Sequence, residues 1–267
     1  MQPPPDDVQL LHILADVAST AIVPHFRALP GVDNKSVGGF DPVTVADRAA
    51  EEAMRELIAS ERPDDAILGE EFPPRPGVSG RTWILDPIDG TRAFMMGLPT
   101  WGVLIALADA RGPFLGMMCQ PFVMERFWNT REGAFQAGYA QEERLATRRC
   151  ASVGEAVVAT TSPRNFRTHP VAPRFEALCD EARMIRYGTD CYAYALLAAG
   201  HLDIVVEVGL KAVDIAPFVP MVEAAGGAVV DLAGEPIGAR LLDGYHGEAV
   251  AVGDPSLLPA VLERLAV

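Results

Sequence analysis

One stretch of the N-terminal half constrains the fold of this chain most. An apolar run, Trp83-Ile84-Leu85, leads directly into Asp86-Pro87-Ile88-Asp89-Gly90-Thr91. The apolar run is typical of a buried strand. Pro87 lacks an amide N–H and favours an extended conformation at Asp86, so the strand is expected to end here. The sequence therefore predicts two carboxylates, three positions apart, at the end of a buried strand.

Those two carboxylates can turn toward one point together with the backbone oxygen of Ile88. Hard oxygen donors of this kind suit Mg²⁺. A short helix can begin at Gly90-Thr91, and its free N–H groups would hold a phosphate. The alternative is a simple turn, because Asp, Pro and Gly all favour turns. The preceding strand and an upstream acidic motif, Gly69-Glu70-Glu71, favour the metal site.

Composition limits the partners of the chain. Its 267 residues carry a formal net charge of −14, and 49% of them are apolar. That apolar content is enough for a sizeable core and argues against disorder. Nucleic-acid binding is not expected, because phosphate backbones need clustered Lys and Arg. An anionic substrate would be repelled unless a cation lay between it and the protein, and bound metal ions would supply that cation.

The cysteines and the apolar segments indicate a cytoplasmic protein without a membrane partner. No two cysteines form a C-x-x-C pair, so reduced thiols are expected rather than a zinc site or a disulfide framework. The proline-rich, acidic start differs from a secretory signal. No uninterrupted apolar run reaches the ~20 residues that a membrane-spanning helix needs.

Periodicity divides the chain into an α+β half, 1–142, and an α/β half, 143–267. In the first half, residues 31–42 are predicted to form a loop and a helix is predicted to begin near Thr44. In the second half, one continuous helix is predicted over residues 214–225.

Four motifs occur in order along nearly the whole chain and together resemble the inositol-monophosphatase superfamily. They are Pro42-Val43-Thr44-Val45-Ala46-Asp47, Gly69-Glu70-Glu71, Trp83 to Thr91, and Val213-Asp214-Ile215-Ala216 with Gly226-Gly227 behind it. The resemblance implies an α/β (α+β) fold, a layered αβαβα sandwich with metals between two subdomains. It also implies a metal-dependent phosphomonoesterase that forms a homodimer.

The same resemblance implies roles for individual residues. The implied metal ligands, for two or three Mg²⁺ ions or for Mn²⁺, are Glu70, Asp86, the backbone oxygen of Ile88, Asp89 and Asp214. The implied catalytic residues are Asp47, Glu70 and Thr91. Asp47 and Thr91 would orient and activate the attacking water, and Glu70 would be shared between the metals. The backbone N–H groups of Gly90 and Thr91 would bind the phosphate. Metal ions at such a site generate hydroxide from water and neutralise the leaving oxygen, so no cysteine or histidine nucleophile is needed.

Two further segments resemble the branch that hydrolyses histidinol phosphate in histidine biosynthesis. They are Gly188-Thr189-Asp190-Cys191-Tyr192-Ala193-Tyr194 and Val206-Glu207-Val208-Gly209-Leu210-Lys211. Asp190 and Glu207 could bind the amine and imidazole of that substrate. Alternatively, Asp190 only caps the helix that follows.

Lys211 could contact the phosphate or balance the acidic pocket, and Lys35 could be carried over the metals by a closing loop or be solvated. The chain also departs from the family pattern. Val213 replaces an aromatic residue, Pro217 falls in the first turn of the predicted helix, and Pro220 is expected to kink it.

Two alternative functions remain open at this point. One is a phosphatase of inositol phosphates or of other sugar or nucleotide phosphates. The other is a non-catalytic regulator of the same fold that binds a protein or RNA. Retention of Asp86, Asp89 and Asp214 argues against the regulator, and so does the low Lys and Arg content.

Overall fold

The computed structural model describes residues 5–28, 32–34, 42–138 and 141–266. These residues form two large β-sheets, one small β-ribbon and a set of α-helices. The helices are α1 (Asp7–Ile22), α2 (Val45–Glu61), α3 (Thr91–Met96), α4 (Ala172–Glu181), α5 (Tyr192–Ala198), α6 (Ala212–Ile215), α7 (Phe218–Ala224) and α8 (Leu258–Leu265). The ribbon pairs β1 (Val32–Asn34) with β2 (Pro42–Thr44) in antiparallel register.

The larger sheet has seven strands that are adjacent in chain order. They are β3 (Ala66–Gly69), β4 (Thr82–Asp89), β5 (Gly102–Asp109), β6 (Gly112–Gln120), β7 (Glu125–Thr130), β8 (Gly133–Ala137) and β9 (Glu143–Arg144). β3 and β4 are parallel, and the other neighbours are antiparallel. Alternate residues of β5 face two different cores, which explains why this strand is apolar throughout.

The smaller sheet has five strands in the order β11-β10-β12-β14-β13. They are β10 (Val157–Thr160), β11 (Met184–Tyr187), β12 (Ile204–Lys211), β13 (Ala228–Val230) and β14 (His246–Val252). Val205 of β12 faces the core shared with the larger sheet, whereas its neighbours Ile204 and Val206 face the core beneath α4 and α8. This sheet is therefore also covered on both faces.

These contacts give five layers: α1 and α2, the larger sheet, α5 to α7, the smaller sheet, and α4 and α8. The predicted αβαβα fold is confirmed. The central core contains residues of both sheets, so the two halves of the chain share one hydrophobic interior. The last strand of the larger sheet, β9, ends at Arg144, two residues beyond the predicted boundary at 142. The division into two subdomains stays a prediction.

Helix α1 begins at a capping box in which Asp6 accepts from the Gln9 N–H. Among the described residues, one helical stretch, Asp7–His25, is long and apolar enough by length and composition to cross a membrane. However, Leu10, Leu11 and Leu14 are fully buried in the core against the larger sheet. This packing favours a core helix.

Three predictions about loops and helices were wrong. Residues 32–34 and 42 belong to the β1–β2 ribbon rather than to a loop; the rest of that loop, with Lys35, lies outside the described residues. The helix predicted over 214–225 is two helices, α6 and α7, separated at Ala216 and Pro217. Pro220 therefore lies in the first turn of α7, where no intrahelical N–H bond is lost, and does not kink a longer helix.

Candidate active site

The site is built around the end of β4, which extends farther than predicted. β4 does not end at Leu85 but continues to Asp89, with one extra residue between the pairs Asp86–Leu104 and Asp89–Gly102. Pro87 sits in this β-bulge, where its missing N–H costs no ladder bond. The Ile88 N–H donates to Asp86 Oδ1 at 3.0 Å, so the bulge also fixes the first carboxylate.

Gly90 turns the chain from β4 into α3. Its φ of 80° is in the left-handed region. A Cβ there would lie 3.1 Å from the Thr100 carbonyl oxygen and 3.2 Å from Asp190 Cβ. Both constraints favour glycine at this position. α3 therefore begins directly beside the two carboxylates, as predicted.

Three carboxylates from distant parts of the chain converge here. Single oxygens of Asp86, Asp89 and Asp214 lie within 4.8 Å of one another. Asp214 is carried by α6, where its Oδ2 accepts the Lys211 N–H at 2.7 Å. Burial raises the pKa of Asp86 and Asp89 well above the usual range, and the neighbouring carboxylates raise it further. Such mutual repulsion is relieved by a bound divalent cation.

Glu70 approaches the site from the turn after β3 and lies outside that group of three. Its Oε1 is 3.1 Å from Lys211 Nζ. After burial, its charge is the largest contribution to the raised pKa of Asp86. Glu70 is thus close to the three carboxylates and forms an ion pair with Lys211. Both roles considered for Lys211, phosphate contact and charge balance, stay predictions.

Asp47 and Thr91 are each held by a local hydrogen bond. Thr44, the N-cap of α2, donates its hydroxyl (2.5 Å) and its N–H (2.8 Å) to Asp47 Oδ2. The Thr91 hydroxyl donates to the Ile88 carbonyl oxygen at 3.1 Å. Burial raises the pKa of Asp47, and the Thr44 bonds partly offset that increase.

Asp190 and Glu207 come from the C-terminal half of the chain and lie at the same site. Asp190 has a φ of 45°, and α5 has no side-chain cap, so the alternative that Asp190 caps this helix is wrong. Burial raises its pKa to about 6, against the lowering effect of Thr100 and Arg92. Burial likewise raises the pKa of Glu207 to about 7, although Glu207 accepts the Thr161 N–H at 2.5 Å.

A cavity of about 450 Å³ connects these groups. Its lining includes the predicted residues Glu70, Asp89, Gly90, Thr91, Asp190, Glu207, Lys211 and Asp214. It also includes Arg92, Asn165 and His246, which the sequence did not predict as site residues. Arg92 directly follows the Asp-Gly-Thr motif and could have been found by that adjacency. Asn165 and His246 are isolated in the sequence and carry no such signal.

The donor set fits a hard divalent cation. It is composed of oxygen, and in the part of the chain that the structure describes it is the one group of three or more potential ligands this close together. Carboxylate oxygens suit Mg²⁺ and Mn²⁺, whereas zinc sites favour nitrogen and sulfur. The buried carboxylates, the cavity and the start of α3 form a site suited to a metal-bound phosphate ester.

Comparisons with known proteins agree with this geometry. Residues 8–264 match the inositol monophosphatase family. A histidinol-phosphatase of Mycobacterium tuberculosis is 35% identical, over 97% of this chain and 98% of that protein. A bifunctional phosphatase of Arabidopsis thaliana is 37% identical, over 94% of this chain and 72% of that protein. The solved structure of an inositol monophosphatase from Zymomonas mobilis is 41% identical, covers 98% of both chains and superposes with a TM-score of 0.85.

Proposed function

Since this chain belongs to the inositol monophosphatase family and is a metal-dependent phosphatase, we propose that it hydrolyses histidinol phosphate to histidinol and phosphate. One observation carries the proposal. A single cavity is lined by Asp89 and Asp214, two of the three convergent carboxylates, and by two further acidic side chains, Asp190 and Glu207. The first group suits a metal-bound phosphate, and the second suits a substrate with a cationic end.

The metal in this proposal is Mg²⁺, with Mn²⁺ as the alternative. The residues that would hold it are Glu70, Asp86, Ile88 through its carbonyl oxygen, Asp89 and Asp214. When bound, the ions supply an acidified water and neutralise charge on the phosphate and on the leaving oxygen. Four of these donors are carboxylates, which by themselves would repel an anionic ester. The bound cations would offset that repulsion in a chain of net charge −14.

The residues of the chain divide the remaining work. The Thr91 hydroxyl donates a hydrogen bond to the Ile88 carbonyl, so its lone pairs are available to accept a hydrogen bond from the attacking water. Thr44 occupies Oδ2 of Asp47, and Asp47 Oδ1 orients the same water. The N–H groups of Gly90 and Thr91 bind the phosphate, and Lys211 adds a positive charge beside Glu70.

Substrate selection is assigned to Asp190 and Glu207. Histidinol carries an amine and an imidazole, and both can donate to carboxylates. Glu207 is buried, with a pKa near neutrality, so a cation beside it would favour its ionised form. The similarity to histidinol-phosphatases over almost the full chain supports this assignment.

Inositol phosphate is the second candidate substrate. The match to the Zymomonas mobilis structure, at 41% identity, favours it. Inositol is uncharged, so Asp190 and Glu207 would then accept hydrogen bonds from hydroxyls. The proposal also includes a homodimer, which rests on kinship with the family and can be checked by light scattering of the purified chain. It further includes a cytoplasmic location.

A substrate panel tests the proposal. Phosphate release is measured from histidinol phosphate, inositol 1-phosphate and fructose bisphosphate, with Mg²⁺ and with EDTA. Asp214→Asn serves as a control for contaminating phosphatases. We expect the highest kcat/KM with histidinol phosphate and no release in EDTA. Preference for inositol 1-phosphate would contradict the substrate, and no release from any ester would contradict the phosphatase activity itself.

A further inference from the structure

Glu51 is a buried carboxylate that none of the proposed catalytic steps uses. It lies on α2, one turn after Asp47, and its side chain is fully buried. Buried carboxylates are costly unless they are paired and hydrogen-bonded, so this position requires a structural or functional reason.

The partners of Glu51 lie in the turn that follows Glu70. Its Oε2 accepts the Glu71 N–H at 2.7 Å, and its Oε1 accepts the Phe72 N–H at 3.3 Å. Both donors are backbone groups, so Glu51 fixes the path of the main chain rather than a side chain. The first of them belongs to the residue directly after Glu70.

Arg55 completes the arrangement. Its Nε is 2.7 Å from Glu51 Oε1, and its Nη2 donates to the Phe72 carbonyl oxygen at 3.0 Å. The guanidinium also lies 5.7 Å from the centroid of the Phe72 ring. Arg55 therefore neutralises Glu51 and binds the same turn at a second point.

Gly69 shows how closely the carboxylate approaches the chain. A Cβ at this position would lie 1.9 Å from Glu51 Oε1 and 2.4 Å from Glu51 Cδ. No larger residue fits without moving Glu51. The Glu51 carboxylate therefore contacts the chain on both sides of Glu70. It packs against Gly69, which precedes Glu70, and accepts a hydrogen bond from Glu71, which follows it.

From these contacts we propose that Glu51 is a positioning residue for Glu70. Through the Glu71 and Phe72 amides it sets where the Glu70 carboxylate stands relative to Asp47, which the same helix carries. This inference rests on the proposed role of Glu70 as a metal ligand. Partners that orient metal ligands change metal affinity or activity about 10–100-fold when removed.

Glu51→Gln is the direct test, because it keeps the shape and one acceptor oxygen. Its amide nitrogen cannot accept a backbone N–H, and it removes the charge that pairs with Arg55. Binding of Mn²⁺ to the metal-free protein, followed by electron paramagnetic resonance, gives a readout independent of catalysis. We expect weaker binding, by about 10–100-fold, with a parallel fall in phosphate release.

A double-variant comparison separates positioning from general damage. If Glu51 acts through Glu70, then Glu51→Gln combined with Glu70→Gln binds Mn²⁺ no more weakly than Glu70→Gln alone. Additive losses would overturn the inference. If Glu70→Gln weakens Mn²⁺ binding and Glu51→Gln does not, the inference fails and the proposed metal site stands. If Glu70→Gln has no effect, the inference and the proposed ligand role of Glu70 both fail, and the group of Asp86, Asp89 and Asp214 is unaffected.

Asp203→Asn is the matched control. Asp203 is also a buried carboxylate, paired with Arg148 at 2.7 and 2.5 Å, and it accepts a backbone N–H from Val157 at 2.7 Å. It lies at the smaller sheet rather than at the Glu70 turn. We expect this variant to unfold more easily but to keep its Mn²⁺ affinity; equal loss of affinity in both variants would overturn the inference.

Arg55→Lys provides a second route if Glu51→Gln does not fold. It keeps the positive charge but loses the bond to the Phe72 carbonyl. We expect a fall in Mn²⁺ affinity in the same direction and of smaller size, about 3–10-fold. Unchanged affinity in this variant would overturn the inference.

Discussion

The backbone N–H of Cys191 donates a 2.9 Å hydrogen bond to Oδ2 of Asp89, 102 residues earlier in the chain. Asp89 ends a strand of the larger sheet, whereas Cys191 precedes α5 beneath the smaller one. The two halves of the chain therefore meet at a proposed metal ligand. The carboxylate is held in place by the fold itself, independently of any ion.

That bond makes Asp89→Asn an informative variant. The Asn oxygen can still accept the Cys191 N–H, so the fold should be kept while the charge is lost. Burial and the Asp214 charge disfavour the ionised form of Asp89, so the variant should be at least as stable as wild type without metal. Activity should fall by roughly 100-fold or more.

Thermal unfolding with and without Mg²⁺ checks this prediction together with phosphate release. A ligand that binds the folded state raises the melting temperature, so wild type should be stabilised by Mg²⁺ and Asp89→Asn much less. The exposed substitution Asp64→Asn is the control and should respond as wild type does. Full activity in Asp89→Asn would exclude a ligand role for Asp89.

Asp190→Asn should alter substrate preference. Asn tolerates the left-handed backbone found at this position, so the variant removes the charge without adding strain. A hydrogen bond to a charged group contributes about 1.5–3 kcal/mol, so KM for histidinol phosphate should rise roughly 10–100-fold. KM for inositol 1-phosphate should change far less.

Steady-state kinetics on both substrates measure that difference. An equal rise in KM for the charged and the uncharged ester would show that Asp190 acts on the shape of the site rather than on the cationic end of a substrate. A change in kcat alone would also contradict the assigned role.

Glu207→Gln should change how stability depends on pH. Burial raises the pKa of Glu207 from 4.5 to about 7, so the folded state binds this proton more tightly than the unfolded state. The wild-type protein therefore loses stability as pH rises from about 4.5 to 7. Glu207→Gln removes that loss. Above pH 7 its free energy of unfolding should therefore gain at most about 3 kcal/mol relative to wild type.

Urea unfolding at pH 4.5 and pH 8 gives the comparison. The free energy of unfolding of the variant, relative to wild type, should be higher at pH 8 than at pH 4.5. Glu52→Gln, at an exposed position of α2, should show no such difference. A relative stability that is the same at both pH values would mean that Glu207 is not protonated on burial.

The sequence predicted the local parts of this site well. The turn at Gly90-Thr91 and the start of α2 near Thr44 were predicted because both depend on neighbouring residues. The bulge at Pro87 was not predicted, since it depends on pairing with β5. The position of Asp214 is different, because it depends on how α6 packs across the core. Only the resemblance to a family placed it with the other carboxylates.

Other features depended on long-range packing and were missed. Strand β14 was not predicted, because residues 246–252 mix polar and apolar side chains and are ordered by pairing with both β12 and β13. In the sequence, Glu51 is indistinguishable from the other charged residues of an amphipathic helix. Its burial becomes visible only when the Glu70 turn is packed against it.

Gly116→Ala should weaken the connection between the larger sheet and the segment that carries Asp214. A Cβ on Gly116 would lie 2.0 Å from the Pro217 carbonyl oxygen, and Pro217 joins α6 to α7. The contact is with backbone, which cannot rotate away, so the segment has to shift. We expect a loss of about 1–3 kcal/mol in the free energy of unfolding and weaker Mg²⁺ binding. Urea unfolding and Mg²⁺ titration measure the two effects. Gly154→Ala is the control, because the nearest atom to its Cβ would be 3.8 Å away. Wild-type stability in Gly116→Ala would contradict the close approach of β6 to Pro217.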